Sequence, residues 1–278
     1  MHRPASTSIC GGSLATCSAR LAECQAFQDE GRYIAAWMAA QSEVKEESIT
    51  DSYLYRLSRA TTTIRYRSFS RWEEARRTGA DWEWWFLLQH GALRLRVQAK
   101  KLRGGRNMRA EITRHNRHGG QMAMLMAAAH RDRAIPVYVF FSSPHCRPLA
   151  CAAASGTHGA YVASAHAIQS LLTGGSAVRD SDVLLKSRPV ACIACCLLRG
   201  AAREAQGQIA NWVREFRADE VGDSIEEDGW HEIVPPYVNR ILGSSDEEGG
   251  VRPGIEEGLP PDIQAVLVVD LKRADLAR

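Results

Sequence analysis

Asp81 and Glu83 lie in the stretch "GADWEWWFLL", and Gln98 and Lys100 close the run "LRLRVQAK" that follows a turn at His90-Gly91. Side chains alternate faces along a strand. Asp81, Glu83 and Trp85 therefore share one face of the first stretch, opposite Trp82 and Trp84. In the second, Leu93, Leu95, Val97 and Ala99 share the face that meets a core, and Arg94, Arg96, Gln98 and Lys100 share the other. Paired as antiparallel neighbours, the two strands bring carboxylates beside an amide and an ammonium. This is a donor set for a hard divalent cation, Mg²⁺ or Mn²⁺, held on oxygen. Asp81 is the anionic ligand, Gln98 and the backbone carbonyl of Ala99 are neutral ones, and Glu83 is a further acid on the same face. A cation so held polarises a phosphate and acidifies an attacking water. Lys100 lowers the pKa of that water or stabilises charge building on the phosphate. Arg94 and Arg96, followed by Lys101, Arg103 and Arg114, suit the phosphate oxygens of a nucleic acid.

The surrounding elements must hold these residues in place. "ARLAECQAFQDEGRYIAAWMAAQSEV" has helical spacing, with Leu21, Phe27, Ile34, Trp37 and Met38 as core positions. "EESITDSYLYRLSRA" is a second helix with one apolar stripe, Ile49, Tyr53, Leu54 and Leu57, and Glu46 and Glu47 in its first turn, where the helix dipole favours acids. "TTTIRYRSF", "ADWEWWFLL" and "LRLRVQAKKL" read as strands, "QMAMLMAAAHRDRA" as a helix and "IPVYVFF" as a buried strand. The order is α-α-β-β-β-α-β. "SSPHCRPLACAAASGTHGAYVAS" reads as loop, "SAHAIQSLL" as helix, "RPVACIACCLL" as a buried strand and "DIQAVLVVDL" as a closing strand. The expected fold is α/β, a mixed central sheet flanked by helices.

An acid on one strand, Gln-x-Lys on the next and a preceding helix that carries Glu resemble the restriction-endonuclease-like PD-(D/E)xK phosphodiesterases, closest to the Gln-x-Lys variant of the Mrr-type endonucleases. The order of elements from 46 to 141 is similar to the core of that superfamily. "EESITD", "GADWEWW", "QAKKL" and "PPYVNRIL" resemble an uncharacterised bacterial domain family of this same kind, over roughly residues 20 to 271. The resemblance implies that Asp81 binds metal, that Gln98 is the second ligand and Lys100 the catalytic lysine, and that Glu47 is the helix glutamate. It makes Gln121, which opens the next helix, a nucleic-acid contact. It implies an endonuclease acting on DNA ahead of RNA, with a role in defence against foreign DNA. Two departures stand out. No proline precedes Asp81, and glutamine replaces the acid of the last motif, which removes a negative charge. The alternative from another class is a catalytically inactive nucleic-acid-binding protein of the same fold.

The net charge of +3 hides an asymmetry. Between Asp51 and Arg147 there are 19 Lys/Arg against 7 Asp/Glu, and between Asp219 and Glu257 there are 2 against 12. A basic middle faces a polyanion, and an acidic segment stays solvated. The eight cysteines are irregularly spaced. They read as reduced thiols of a cytoplasmic protein, and Cys146, Cys151, Cys192 and Cys195 are a weak alternative for a structural Zn²⁺. No apolar stretch has membrane-spanning length. No membrane partner is expected, and a homodimer stays open. The chain divides into a disordered start (1–17), an α/β domain (18–218), an acidic Gly/Pro-rich segment with a short helix (219–260), and a closing strand with tail (261–278).

Overall fold

A computed structural model describes residues 22–69, 80–104, 107–113, 115–116, 119–143, 158–174, 176–193, 229–243 and 263–272. The elements run α1 (Ala22–Ala40), α2 (Glu46–Ala60), β1 (Ile64–Ser68), β2 (Trp82–Leu88), β3 (Gly91–Lys101) and α3 (Arg109–Ile112). They continue with β4 (His115–Asn116), β5 (Gly119–Gly120), α4 (Gln121–Arg131), β6 (Ile135–Phe141), β7 (Ala160–Ser164) and α5 (Ala165–Thr173). Last come α6 (Asp180–Leu185), β8 (Arg188–Pro189), β9 (Trp230–His231), α7 (Pro236–Gly243) and β10 (Ala265–Asp270). The chain is an α/β protein with a mixed, open eight-stranded sheet in the order β1-β10-β2-β3-β6-β7-β8, with β9 alongside β3.

The two central strands are an antiparallel hairpin in which Trp82 faces Val97, Glu83 faces Arg96 and Trp85 faces Arg94. At its turn, Gly91 lies under the indole of Trp230, where any Cβ would collide with the ring. One face of the hairpin carries Trp82, Trp84, Phe86, Leu93, Leu95, Val97 and Ala99, all buried against Phe27, Ile34, Ile49, Tyr53 and Leu57 of α1 and α2. The alternating pattern thus puts the main core on the expected face. The opposite face is covered in two places. Near β6, Tyr138 and Phe140 join Met122 and Leu125 of α4. Near β10, Trp85, Leu87, Val266 and Val268 pack with Tyr237, Val238 and Ile241 of α7.

Three elements differ from expectation. The last strand, β10, is in the interior of the sheet, antiparallel to β1 and parallel to β2. It separates two strands that are consecutive in sequence. β7 falls in a stretch read as loop, although all five of its residues are buried. The run from 188 forms only the two-residue β8 before turning helical at 191–193. Cys24 is disulfide-bonded, so the reading of all cysteines as reduced thiols fails there. Cys192 is buried, while Cys146, Cys151, Cys195 and Arg114 lie outside the described residues, as does the expected disordered start. Among the described residues no helix is long and apolar enough to cross a membrane.

Candidate active site

Asp81 sits at the entry to β2, where its backbone N–H donates to Val97 O at 2.7 Å. That bond brings it beside Gln98. One carboxylate oxygen, Oδ2, accepts from Gln98 Nε2 and from the Ala99 backbone N–H, both at 2.6 Å. Gln98 Nε2 also donates to the Ala99 carbonyl at 3.1 Å. Both of its neighbours are acceptors, so the amide must turn its NH₂ towards them. Gln98 therefore presents nitrogen at this point, where a carbonyl oxygen was expected.

Lys100 points the same way as Gln98, and its Nζ is 3.3 Å from Glu46 Oε1 at the N-terminus of α2. The other oxygen of Glu46 accepts from the Lys101 backbone N–H at 2.8 Å. Glu46 thus ties the start of α2 to the end of β3. The helix glutamate beside the lysine is Glu46, where Glu47 was expected. Glu47 is exposed, although its charge still acts on Asp81. The two acids are neighbours on a helix first turn, and residue pattern alone does not say which turns inward.

Burial pushes the Asp81 carboxyl up to about 7. The Lys100 ammonium works against this, Glu46 adds to it, and the Ala99 N–H opposes it again. Asp81 is a carboxylate poised near neutrality, in contact with solvent. Tyr138 of β6, which the sequence did not single out, stands opposite Gln98 in the parallel β3–β6 pair, and Asp81, after burial, raises its pKa. An aromatic in an apolar strand gives no sign of such a neighbour.

The arginines do not occupy an open face. Arg94 and Arg96 are buried, at 6% and 0% exposure. Arg94 donates to Glu83 Oε2 at 2.7 and 3.0 Å and to Asp132 O at 2.6 Å. Arg96 lies 3.5 Å from Glu83 and also pairs with Asp132. Glu83 accepts from Trp85 Nε1 and Tyr237 OH as well. Glu83 is therefore not a second acid beside Asp81. Strand register sets it against two guanidinium groups, which neutralise a carboxylate that would be costly to bury alone. The face is closed by α7 and β9, which come from the segment read as an acidic, solvated tail. Lys101 is also buried, its Nζ donating to Val44 O at 2.8 Å and to Ser42 O, so it closes the α1–α2 turn. Arg103 is exposed, as a nucleic-acid contact requires. Gln121 is half-buried at the start of α4, and its Oε1 has no hydrogen-bond partner among the described residues.

Asp81 Oδ2 and Ala99 O converge on a single point, which the Gln98 NH₂ holds. Rotation of that amide would offer Oε1 in its place. These donors fit a hard cation held loosely, since Mg²⁺ commonly takes one or two carboxylates and completes its shell with water and substrate phosphate. Among the described residues there is no group of three or more His, Cys, Asp or Glu side chains that could hold a metal.

No curated protein and no solved structure matches the chain. A family model, described as a family of unknown function (DUF6615), matches residues 19–273, nearly the whole sequence, and the chain belongs to that family.

Proposed function

We propose that the chain is a Mg²⁺-dependent nuclease that hydrolyses phosphodiester bonds of DNA, with a restriction-endonuclease-like core. The observation that carries this reading is the meeting of Asp81, Gln98, the Ala99 carbonyl, Lys100 and Glu46 at the joined ends of β2, β3 and α2. Asp81, the Ala99 carbonyl and a rotated Gln98 would hold the cation. It would supply polarisation of the phosphate and a more acidic water. Lys100 stands two residues beyond Gln98 on the same face, with its ammonium held by Glu46. From there it stabilises negative charge developing on the phosphate oxygens. Asp81 and Glu46 both keep partial contact with solvent, so substrate approaches from that end of the sheet. Exposed Arg103 lies just beyond it. A role in defence against foreign DNA rests on the resemblance alone.

One observation favours a second reading, a nucleic-acid-binding protein without turnover. The Gln98 amide already satisfies both oxygens that would bind the cation. Incubating the purified chain with plasmid and linear DNA, with and without Mg²⁺, separates the two readings. The nuclease reading requires cleavage that EDTA abolishes. Salt-sensitive binding without cleavage supports the second.

A further inference from the structure

Tyr138 is wholly buried, yet its hydroxyl makes no hydrogen bond among the described residues. A buried hydroxyl without a partner is unfavourable, and native proteins seldom keep one without a reason. A phenylalanine would fill the same space at no such cost. The ring is fixed by stacking on Phe140, with centroids 5.6 Å apart and planes at 18°. It stands on the same face as Gln98, and Phe140 likewise stands opposite Lys100. The Asp81 carboxylate acts electrostatically on the hydroxyl. The donor without a partner is therefore shielded from bulk solvent, on the face of the sheet that carries Gln98.

We propose that Tyr138 belongs to the cation site, its hydroxyl donating a hydrogen bond to a water in the hydration shell of a divalent cation held at Asp81. Mg²⁺ keeps several of its waters when bound to protein, so its site needs acceptors for the ion and partners for those waters. Asp81 and Ala99 O serve the ion, and Tyr138 serves a water. Tyr138 is a positioning residue, and the inference rests on the cation-dependent part of the function proposed above.

The test is calorimetric titration of the full chain with Mg²⁺ or Mn²⁺, alongside cation-free melting curves, for wild type, Tyr138→Phe and Tyr161→Phe. Tyr161 is equally buried, but its hydroxyl donates to His158 O at 2.6 Å. Tyr138→Phe is expected to leave the cation-free melting temperature unchanged or raised, and to weaken cation affinity roughly three- to tenfold, the worth of one hydrogen bond. Tyr161→Phe is expected to do the reverse, lowering the melting temperature and leaving affinity unchanged. Cation affinity of Tyr138→Phe within about twofold of wild type overturns the inference, because a purely packing role predicts that result. A wild type that binds no divalent cation overturns both the inference and the nuclease reading. A wild type that binds the cation with help from Tyr138 but does not cleave DNA leaves the inference standing and removes the nuclease reading.

Discussion

Gln98→Glu perturbs the site at its most informative atom. In the native protein the amide NH₂ bridges Asp81 Oδ2 at 2.6 Å and Ala99 O at 3.1 Å. The substitution replaces a donor to both oxygens with a carboxylate facing both. A hydrogen bond to a charged group contributes about 1.5–3 kcal/mol, and the solvent contact of Asp81 puts this one at the lower end. Repulsion between the two carboxylates adds to that loss, for a total of about 2–3 kcal/mol at pH near 8. Acidification lets the pair share a proton and should recover most of the loss. A divalent cation should recover it too, since it takes the position of the lost donor. At a concentration near 100 times its dissociation constant, bound Mg²⁺ stabilises by about 2.7 kcal/mol. Urea denaturation with and without Mg²⁺, in mild acid and mild base, reads all three effects. The expected result is a variant less stable than wild type without cation, and stabilised by Mg²⁺ more strongly than wild type is. If the variant matches wild-type stability and gains nothing from Mg²⁺, the convergence of Asp81, Gln98 and Ala99 on one cation position is refuted.

Asp81 also sets a pH dependence. Its folded pKa lies near 7, above the ordinary 3.8, so the folded chain holds a proton that the unfolded chain has released. Its contribution to stability is full in acid and is lost as pH rises through about 7. Cation binding requires the ionised form, so Mg²⁺ affinity measured by calorimetry should be flat above about pH 7 and fall roughly tenfold per pH unit below it. Arg94→Ala should destabilise the fold by about 3–5 kcal/mol in denaturant titrations, because it leaves Glu83 buried with one of its partners gone. Arg103→Ala should leave stability unchanged but weaken DNA binding and shallow its salt dependence by about one unit of slope. Equal effects of the two arginine substitutions on stability would contradict their assigned places.

Strand alternation was enough to read the hairpin. The faces of Trp82, Trp84, Leu95 and Val97 are where period two puts them, and α2 begins at Glu46 as its acids and apolar stripe suggest. The pairing of Asp81 with Gln98 follows from that hairpin. The cover over its second face does not. Arg94 and Arg96 look like a solvated face in sequence, and Asp132 after α4, with Tyr237 and Trp230 arriving from the acidic segment, turns that face into a buried ion network. Alternation identifies which residues share a face, and distant chain decides whether that face is wet. For the same reason β10 could be read as a strand but not placed between β1 and β2. Its apolar run would suit any interior position. Glu46 and Glu47 differ by one helical step of about 100°, and the tie to the Lys101 N–H decides between them.

Cleavage of DNA by the purified chain in Mg²⁺, set against Lys100→Ala at matched DNA binding, tests the nuclease assignment. The ammonium of Lys100 lies 3.3 Å from Glu46, and its charge acts on Asp81. Wild type should cleave only with a divalent cation. Lys100→Ala should lose cleavage by about a hundredfold or more while binding DNA nearly as well. Robust cleavage that survives Lys100→Ala, or that proceeds in EDTA, would contradict the assignment of chemistry to this end of the sheet.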